Sequence, residues 1–326
     1  MARTLLLTER DHALLVSLLK YRYLSSRQVE RLHFSSHQTA TRRLRLLAQA
    51  GYVTTFRAHG IEEHLAALTE QGAQVVAEEL LVPLQQLGWT PRREEPKDYL
   101  FLKHFLLCGD VRISLTQGCT LRDSVALLGF IPEHLGDKTP NGGVQKYVRD
   151  VVSDIAKPQE KLVHTPDGVF ALAREERAAL FFLEIDRGTE TLADAEHGFL
   201  KALRFYLNYL VTGGYQRYSE DFRILEPFKA FRVLVLTSSE RRLQNIRTLC
   251  GRLHFEPASA KRFIWLQTLE VAQANDFLRV RWHSLDPSDE TLYTILPHPA
   301  SAEGEIHHVR DAQRRDDSEP MVVARG

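Results

Sequence analysis

The sequence predicts an α/β protein in two parts: a small basic module of short helices with a β-ribbon, then a larger α/β domain built on a mixed sheet. Three observations lead there. The stretch from Met1 to Gly60 carries ten Lys and Arg side chains against three Asp and Glu, although the whole chain balances 42 of each kind. Three capping signals in succession start three short amphipathic helices. Further on, strand-forming runs alternate with helical ones, and the strand–helix–strand unit from Phe231 to Gln267 argues for a parallel crossover.

In chain order, Thr8 with Asp11 starts a first helix, in which Ala13, Leu14, Leu18 and Leu19 repeat at helical spacing. Ser25 with Gln28 starts a second helix through Leu32. Ser35 with Gln38 starts a third, which Gly51 ends as a left-handed cap. Tyr52 to Phe56, a His59-Gly60 turn and Glu63 to Leu68 then read as a two-stranded ribbon, and Thr69 to Gly72 opens a fourth helix reaching about Leu81. This order is that of a winged helix-turn-helix, assigned to residues 1–82. Within the third helix, Ala40, Leu44 and Leu47 form the core stripe. Gln38, Arg42, Arg45 and Gln49 share another face, flanked by His37 and Thr41. Arg and Gln make bidentate contacts to base edges in the major groove, whereas Arg43, and Arg57 in the wing, suit phosphates. The expected partner is double-stranded DNA, bound through Gln38, Thr41, Arg42, Arg43, Arg45 and Arg57. A solvated Arg-rich face on a protein-binding module is the weaker reading, because helix order, caps, wing and basic excess all agree.

Residues 83–98, with Pro83, Pro91 and Pro96, read as a linker. Residues 99–300 then form one α/β domain. Tyr99 to Leu115 reads as a buried helix with Leu100, His104 and Leu107 in line, and His104 as a hydrogen-bonded core residue rather than a catalytic one. Leu127 to Glu133 is strand-like, 136–143 is a loop, and Tyr147 to Ile155 is compatible with a strand or a short helix. Phe231 to Thr237 is a buried strand, and Ser238 or Ser239 caps a helix reaching Cys250. Arg262 to Gln267 is another strand, Leu269 to Leu278 is helical, and Leu292 to Leu296 is an edge strand. Residues 301–326 are charged and aperiodic, the composition of a disordered tail. Cys108, Cys119 and Cys250 lack metal or disulfide spacing and read as buried free thiols. No apolar run approaches the roughly 18 residues that span a bilayer, so no membrane partner and a cytoplasmic location are expected.

The stretch from Thr165 to Tyr209 reads as strand, polar turn, strand, sharp turn, helix. With the hairpin turning between Glu175 and Glu176, Asp167 faces Glu184, and strand alternation puts Asp186 on the same face. Three carboxylates at one sheet end, beside a helix carrying Lys201, would raise one another's pKa unless a cation sat among them. That describes a metal site or a solvated sheet end.

The pattern Pro166-Asp167 … Glu184-x-Asp186 resembles the PD-(D/E)XK, restriction-endonuclease-like family. The resemblance implies that Asp167, Glu184 and Asp186 hold Mg²⁺ for phosphodiester hydrolysis. Asp186 occupies the position of that family's lysine, so Lys201 would supply the cationic side chain. Over Thr8 to Leu269, the segments LTERDHALLVSLL, LSSRQVERLHF, ATRRLRLLAQAGYV, ALTEQGAQVV, PDGVFAL, FFLEIDRGTET and FRVLVLTSSERRLQNIR together resemble the replication-relaxation family of plasmid and mobile-element proteins. This implies a DNA-binding protein in replication, transfer or regulation of mobile DNA, with replication or mobilisation proteins as further partners. A winged helix often works as a dimer on a pseudo-palindrome, so a second copy of the chain is a further expected partner. An active Mg²⁺-dependent endonuclease acting through Asp167, Glu184, Asp186 and Lys201 is the alternative. In a non-enzymatic protein the α/β domain would instead be a partner platform, with Asp186 paired to Arg187 or Arg204.

Overall fold

The structure, a computed structural model, describes residues 5–91, 99–138, 144–188, 198–252, 258–274 and 276–296. Residues 92–98 of the expected linker and the expected tail at 301–326 lie outside the described residues.

The N-terminal elements follow from local hydrogen bonding. Helix α1 (Glu9–Tyr21) and helix α2 (Ser26–His33) each begin in a complete capping box, Thr8 with Asp11 and Ser25 with Gln28, on either side of the short strand β1 (Leu24–Ser25). Helix α3 (His37–Gln49) is capped by Ser36 on the Thr39 amide, one residue later than Ser35. Gly51, at φ +85°, turns the chain out of it. Strands β2 (Val53–Phe56) and β3 (Leu65–Leu68) pair antiparallel, and helix α4 (Glu70–Glu79) starts on a Thr69 cap. The ribbon gains a third strand, because Leu24 and Ser25 pair with Ala66 and Leu65. Leu14, Leu15, Leu18, Leu44, Leu47 and Val76 fill the core between helices and sheet.

Helix α5 (Tyr99–Thr120) comes next, and it differs from expectation. Leu100 is 51% exposed instead of lying in a buried line with His104 and Leu107. The helix is apolar nearly all round because it is covered on several sides. Leu102 packs with Tyr23, Leu65 and Ala67, and Ile113 enters the N-terminal core. Val111, Leu115 and Cys119 pack against the large sheet. Polar contacts reinforce the seam. Gln28 Nε2 donates to Leu106 O (2.8 Å) and Asp110 Oδ1 (3.1 Å), Arg31 pairs with Asp110 (2.9 Å), and Arg112 donates to Lys20 O (3.0 Å).

The large sheet begins with β4 (Ala126–Pro132). Two small antiparallel hairpins follow, β5 (Gly136–Lys138) with β6 (Val144–Lys146), and β7 (Asp150–Ser153) with β8 (Lys161–His164). Part of the expected loop is thus strand, and the ambiguous segment from Tyr147 to Ile155 resolves as a turn followed by strand β7. Then come β9 (Gly168–Arg174), β10 (Arg177–Asp186), α6 (Phe199–Thr212), α7 (Tyr218–Asp221), β11 (Phe231–Thr237) and α8 (Glu240–Gly251). Strand β12 (Ile264–Thr268), α9 (Leu269–Ala274), β13 (Trp282–Ser284) and β14 (Leu292–Tyr293) complete the order. The seven-stranded sheet runs β14-β13-β12-β11-β10-β9-β4. It is mixed: β10, β11 and β12 are parallel and the remaining pairings antiparallel. The β9–β10 hairpin has the expected register, Arg174 opposite Arg177 and Gly168 opposite Leu183.

Alternation sorts the side chains into two layers. Val169, Phe182 and Val235 face α6 and α8, meeting Leu203, Tyr206 and Leu243. Phe170, Leu183 and Leu236 face α5 and the C-terminal segment, meeting Leu115, Leu278 and Trp282. All three cysteines are free thiols, and no helix among the described residues is long and apolar enough to cross a membrane.

Candidate functional site

Two places bear on function. The first is the outer face of α3. Its core stripe Ala40, Leu44 and Leu47 is buried, while Gln38, Thr41, Arg42, Arg45 and Gln49 are exposed. Since α5 packs on α2 and β1, it leaves that row to solvent. Arg43 points elsewhere. Its Nε donates to Asp11 Oδ1 (2.6 Å) and its Nη2 reaches Asp11 Oδ2 and Leu6 O. Asp11 is only 1% exposed, so Arg43 anchors α3 to the start of α1 rather than standing on the exposed outer row. Arg57, just past β2, is exposed and donates to His64 Nε2 (3.1 Å). His37, at the start of α3, bonds Ser26 Oγ (2.9 Å).

The second place is the end of the sheet where β4, β9 and β10 meet. Asp167 immediately precedes β9. Its Oδ2 accepts from the Ile185 amide (2.6 Å), and its Oδ1 lies 3.0 Å from His104 Nε2 on α5. Glu133 immediately follows β4, with its amide on Asp167 O (3.2 Å). Its Oε2 lies 3.8 Å from the same His104 nitrogen, and its Oε1 accepts from Lys146 Nζ. Glu184 turns toward α6, where its Oε1 meets His164 Nε2 (2.7 Å) and the Tyr206 hydroxyl. Asp186 is held by Arg242, with Nε on Oδ2 (2.7 Å) and Nη2 on Oδ1 (3.1 Å). Lys201, in the first turn of α6, is exposed and pairs with none of the three acids. Arg187 and Arg204, the expected partners of Asp186, instead bond Leu100 O and the acids Asp154 and Glu160.

The electrostatics follow from burial and these partners. Burial alone would lower the pKa of His104, but its bond to Asp167 and the charges of Asp167 and Glu133 outweigh it, and the net shift is upward. His164 behaves alike: burial pulls it down, the charge and hydrogen bond of Glu184 pull it up further, and Lys201 opposes weakly. Burial raises the Glu184 carboxyl, and the charge of Asp167 adds to this against His164 and Tyr206. Burial, then the charges of Asp167, Glu133 and Glu184, push the Cys108 thiol well up, which favours its protonated form.

Asp167, Glu184 and Asp186 therefore gather at one sheet end without sharing a centre. A common ion would need oxygens that Arg242, His164 and Tyr206 already engage, so the three acids as folded do not fit Mg²⁺ as a set. Among the described residues, the group whose ligand atoms converge is His104, Glu133 and Asp167, all within 4.8 Å of one another. Glu133, His164, Tyr206 and Arg242 were not singled out by sequence. The signals available were weak: His164 lies three residues before Asp167, and Glu133 ends a strand-like run.

The model of a family described as replication-relaxation matches residues 15–223, more than half of the chain. No curated protein and no solved structure matches it.

Proposed function

The chain belongs to the replication-relaxation family, which assigns it a role in replication or transfer of plasmid or mobile DNA, and we propose that it performs this role by binding double-stranded DNA through a winged helix. The order α1-β1-α2-α3-β2-β3, with its three-stranded antiparallel sheet, supports that reading. The observation that carries it is the exposed row Gln38, Thr41, Arg42 and Arg45 on a helix whose opposite stripe is buried. Arg57 adds a cation from the ribbon. The order α5-β4-β9-β10-α6-β11 supports a nuclease-like layout for the second domain. With Asp186 tied to Arg242, that domain acts as a platform, for replication or mobilisation proteins or for a second copy on a pseudo-palindromic site.

A mobility-shift titration across salt tests the binding. Affinity is expected to fall steeply with salt, Arg42→Ala to weaken binding with a shallower salt slope, and Arg57→Ala to flatten the slope by about one unit. A protein with no DNA affinity at low salt overturns the reading. The second reading, a Mg²⁺-dependent endonuclease using Asp167, Glu184, Asp186 and Lys201, draws on the alternation that puts Glu184 and Asp186 on one face of β10, with Asp167 at the same sheet end. Cleavage of plasmid, single-stranded or branched DNA that disappears in both Asp167→Ala and Glu184→Ala would establish it over the platform.

A further inference from the structure

We propose that His104, Glu133 and Asp167 form a divalent-cation site of one imidazole nitrogen and two carboxylate oxygens, suited to Mn²⁺ or Zn²⁺ rather than to Mg²⁺. The site differs from the three-acid set by taking His104 and Glu133 in place of Glu184 and Asp186. It does not depend on DNA binding by α3.

The three ligands come from three elements that only the tertiary fold brings together: α5, the end of β4 and the start of β9. His104 Nε2 lies 3.0 Å from Asp167 Oδ1 and 3.8 Å from Glu133 Oε2. Ligands about 2.0–2.2 Å from one metal sit roughly 3 Å from each other, and the three ligand atoms already lie within 4.8 Å of one another, so side-chain adjustment without backbone rearrangement would close the set around an ion. Both acids are already half-committed. Asp167 Oδ2 is held by the Ile185 amide and Glu133 Oε1 by Lys146, which leaves one oxygen of each directed at the imidazole. Outer partners of this kind orient metal ligands. The other imidazole nitrogen, His104 Nδ1, is buried with no hydrogen-bond partner among the described residues.

The chemistry of the donors selects the ion. Imidazole suits Zn²⁺ and other transition ions, carboxylates suit Mn²⁺, and Mg²⁺ favours an all-oxygen shell with retained water. Three protein ligands leave further positions open. They face a pocket that Lys20, Tyr21 and Arg112 also line, where the N-terminal module meets the second domain. Cys108, one helical turn from His104, has its sulfur 3.6 Å from Nε2 but falls outside the converging group.

The test uses the full chain stripped with a chelator and titrated with Mn²⁺, followed by the electron paramagnetic resonance of the free ion. Expected is one Mn²⁺ per chain, displaced by Zn²⁺, with spin-echo coupling to an imidazole nitrogen. His104→Gln, which keeps a donor for Asp167, and Glu133→Gln should each weaken binding at least about tenfold, and His104→Gln should remove the nitrogen coupling. Thermal unfolding of each variant confirms that it is folded. Failure to bind Mn²⁺ or Zn²⁺ at millimolar metal overturns the proposal. So does binding that survives His104→Gln, or binding lost in Glu184→Gln or Asp186→Asn while His104→Gln binds normally.

Discussion

Replacing Arg43 with alanine is expected to loosen α1 and α3 while leaving the outer row of α3 intact, the opposite of what Arg42→Ala does. Asp11 is 1% exposed and Arg43 20%, and the pair is made by both guanidinium Nε and Nη2. Removing one partner of a buried ion pair costs about 3–5 kcal/mol, because the other charge stays buried. Here the Thr8 amide and hydroxyl, each 2.7 Å from Asp11 Oδ2, continue to hold the carboxylate. The expected loss is therefore at the low end, about 3 kcal/mol. Amide hydrogen exchange across α1 and α3 reads this locally, and protection there should fall by about two orders of magnitude. Arg42→Ala should change stability by no more than about 0.5 kcal/mol.

The pH dependence has a definite sign. Burial raises the Asp11 carboxyl, but Arg43 and Thr8 outweigh it and the net shift is downward. A lowered carboxyl contributes stability above its unfolded value, about 3.9, and loses it as pH falls through the folded value. The difference between wild type and Arg43→Ala should hence be full at neutral pH and shrink in acid. An Arg43→Ala protein with unchanged exchange in α1, and with DNA affinity weakened as in Arg42→Ala, would refute this assignment.

Gly72→Ala should destabilise the N-terminal module although alanine favours a helix by about 1 kcal/mol. The added Cβ would sit 2.0 Å from Tyr52 O and 3.0 Å from Leu68 Cδ2, against backbone that cannot yield cheaply. A net loss of about 2 kcal/mol in denaturant unfolding is expected, and a gain would disprove the contact. The His164–Glu184 pair supplies the opposite pH trend. Both groups are raised, so the folded protein holds protons more tightly there. The Glu184 part is full below the ordinary carboxyl value, about 4.3, and the His164 part below the ordinary His value, about 6.5; each is lost as pH rises through that group's folded value. The melting temperature should decline over that range, and less so in His164→Asn. An identical profile in that variant would count against the pairing.

The parts legible in sequence are those whose causes lie within a few residues. The Thr8–Asp11 and Ser25–Gln28 boxes, the Ala40–Leu44–Leu47 stripe and the Gly51 turn were all readable, because a cap or a helical face is set by neighbours three or four positions away. The same holds for the register of the β9–β10 hairpin, fixed by the short turn at Glu175 and Glu176. The parallel pairing of β11 and β12 came from the length of the connection between them. The third strand of the small sheet escaped because two residues carry no alternation, and the true cap Ser36 stood beside an equally good Ser35.

By itself, then, the sequence determined the helices, caps and turns of the N-terminal module, the strand hairpin and the α/β class. The tertiary structure alone decided who partners whom. Arg43 is 32 residues from Asp11, Arg242 is 56 residues from Asp186, and Gln28 is 78 residues from Leu106. No local pattern encodes such distances. A buried charge takes whichever complementary group the packing delivers, since leaving it unpaired costs more than any local preference supplies. For the same reason His104 reads as a core residue on its own helix. Only when α5 lies between the N-terminal module and the large sheet does it meet Glu133 and Asp167.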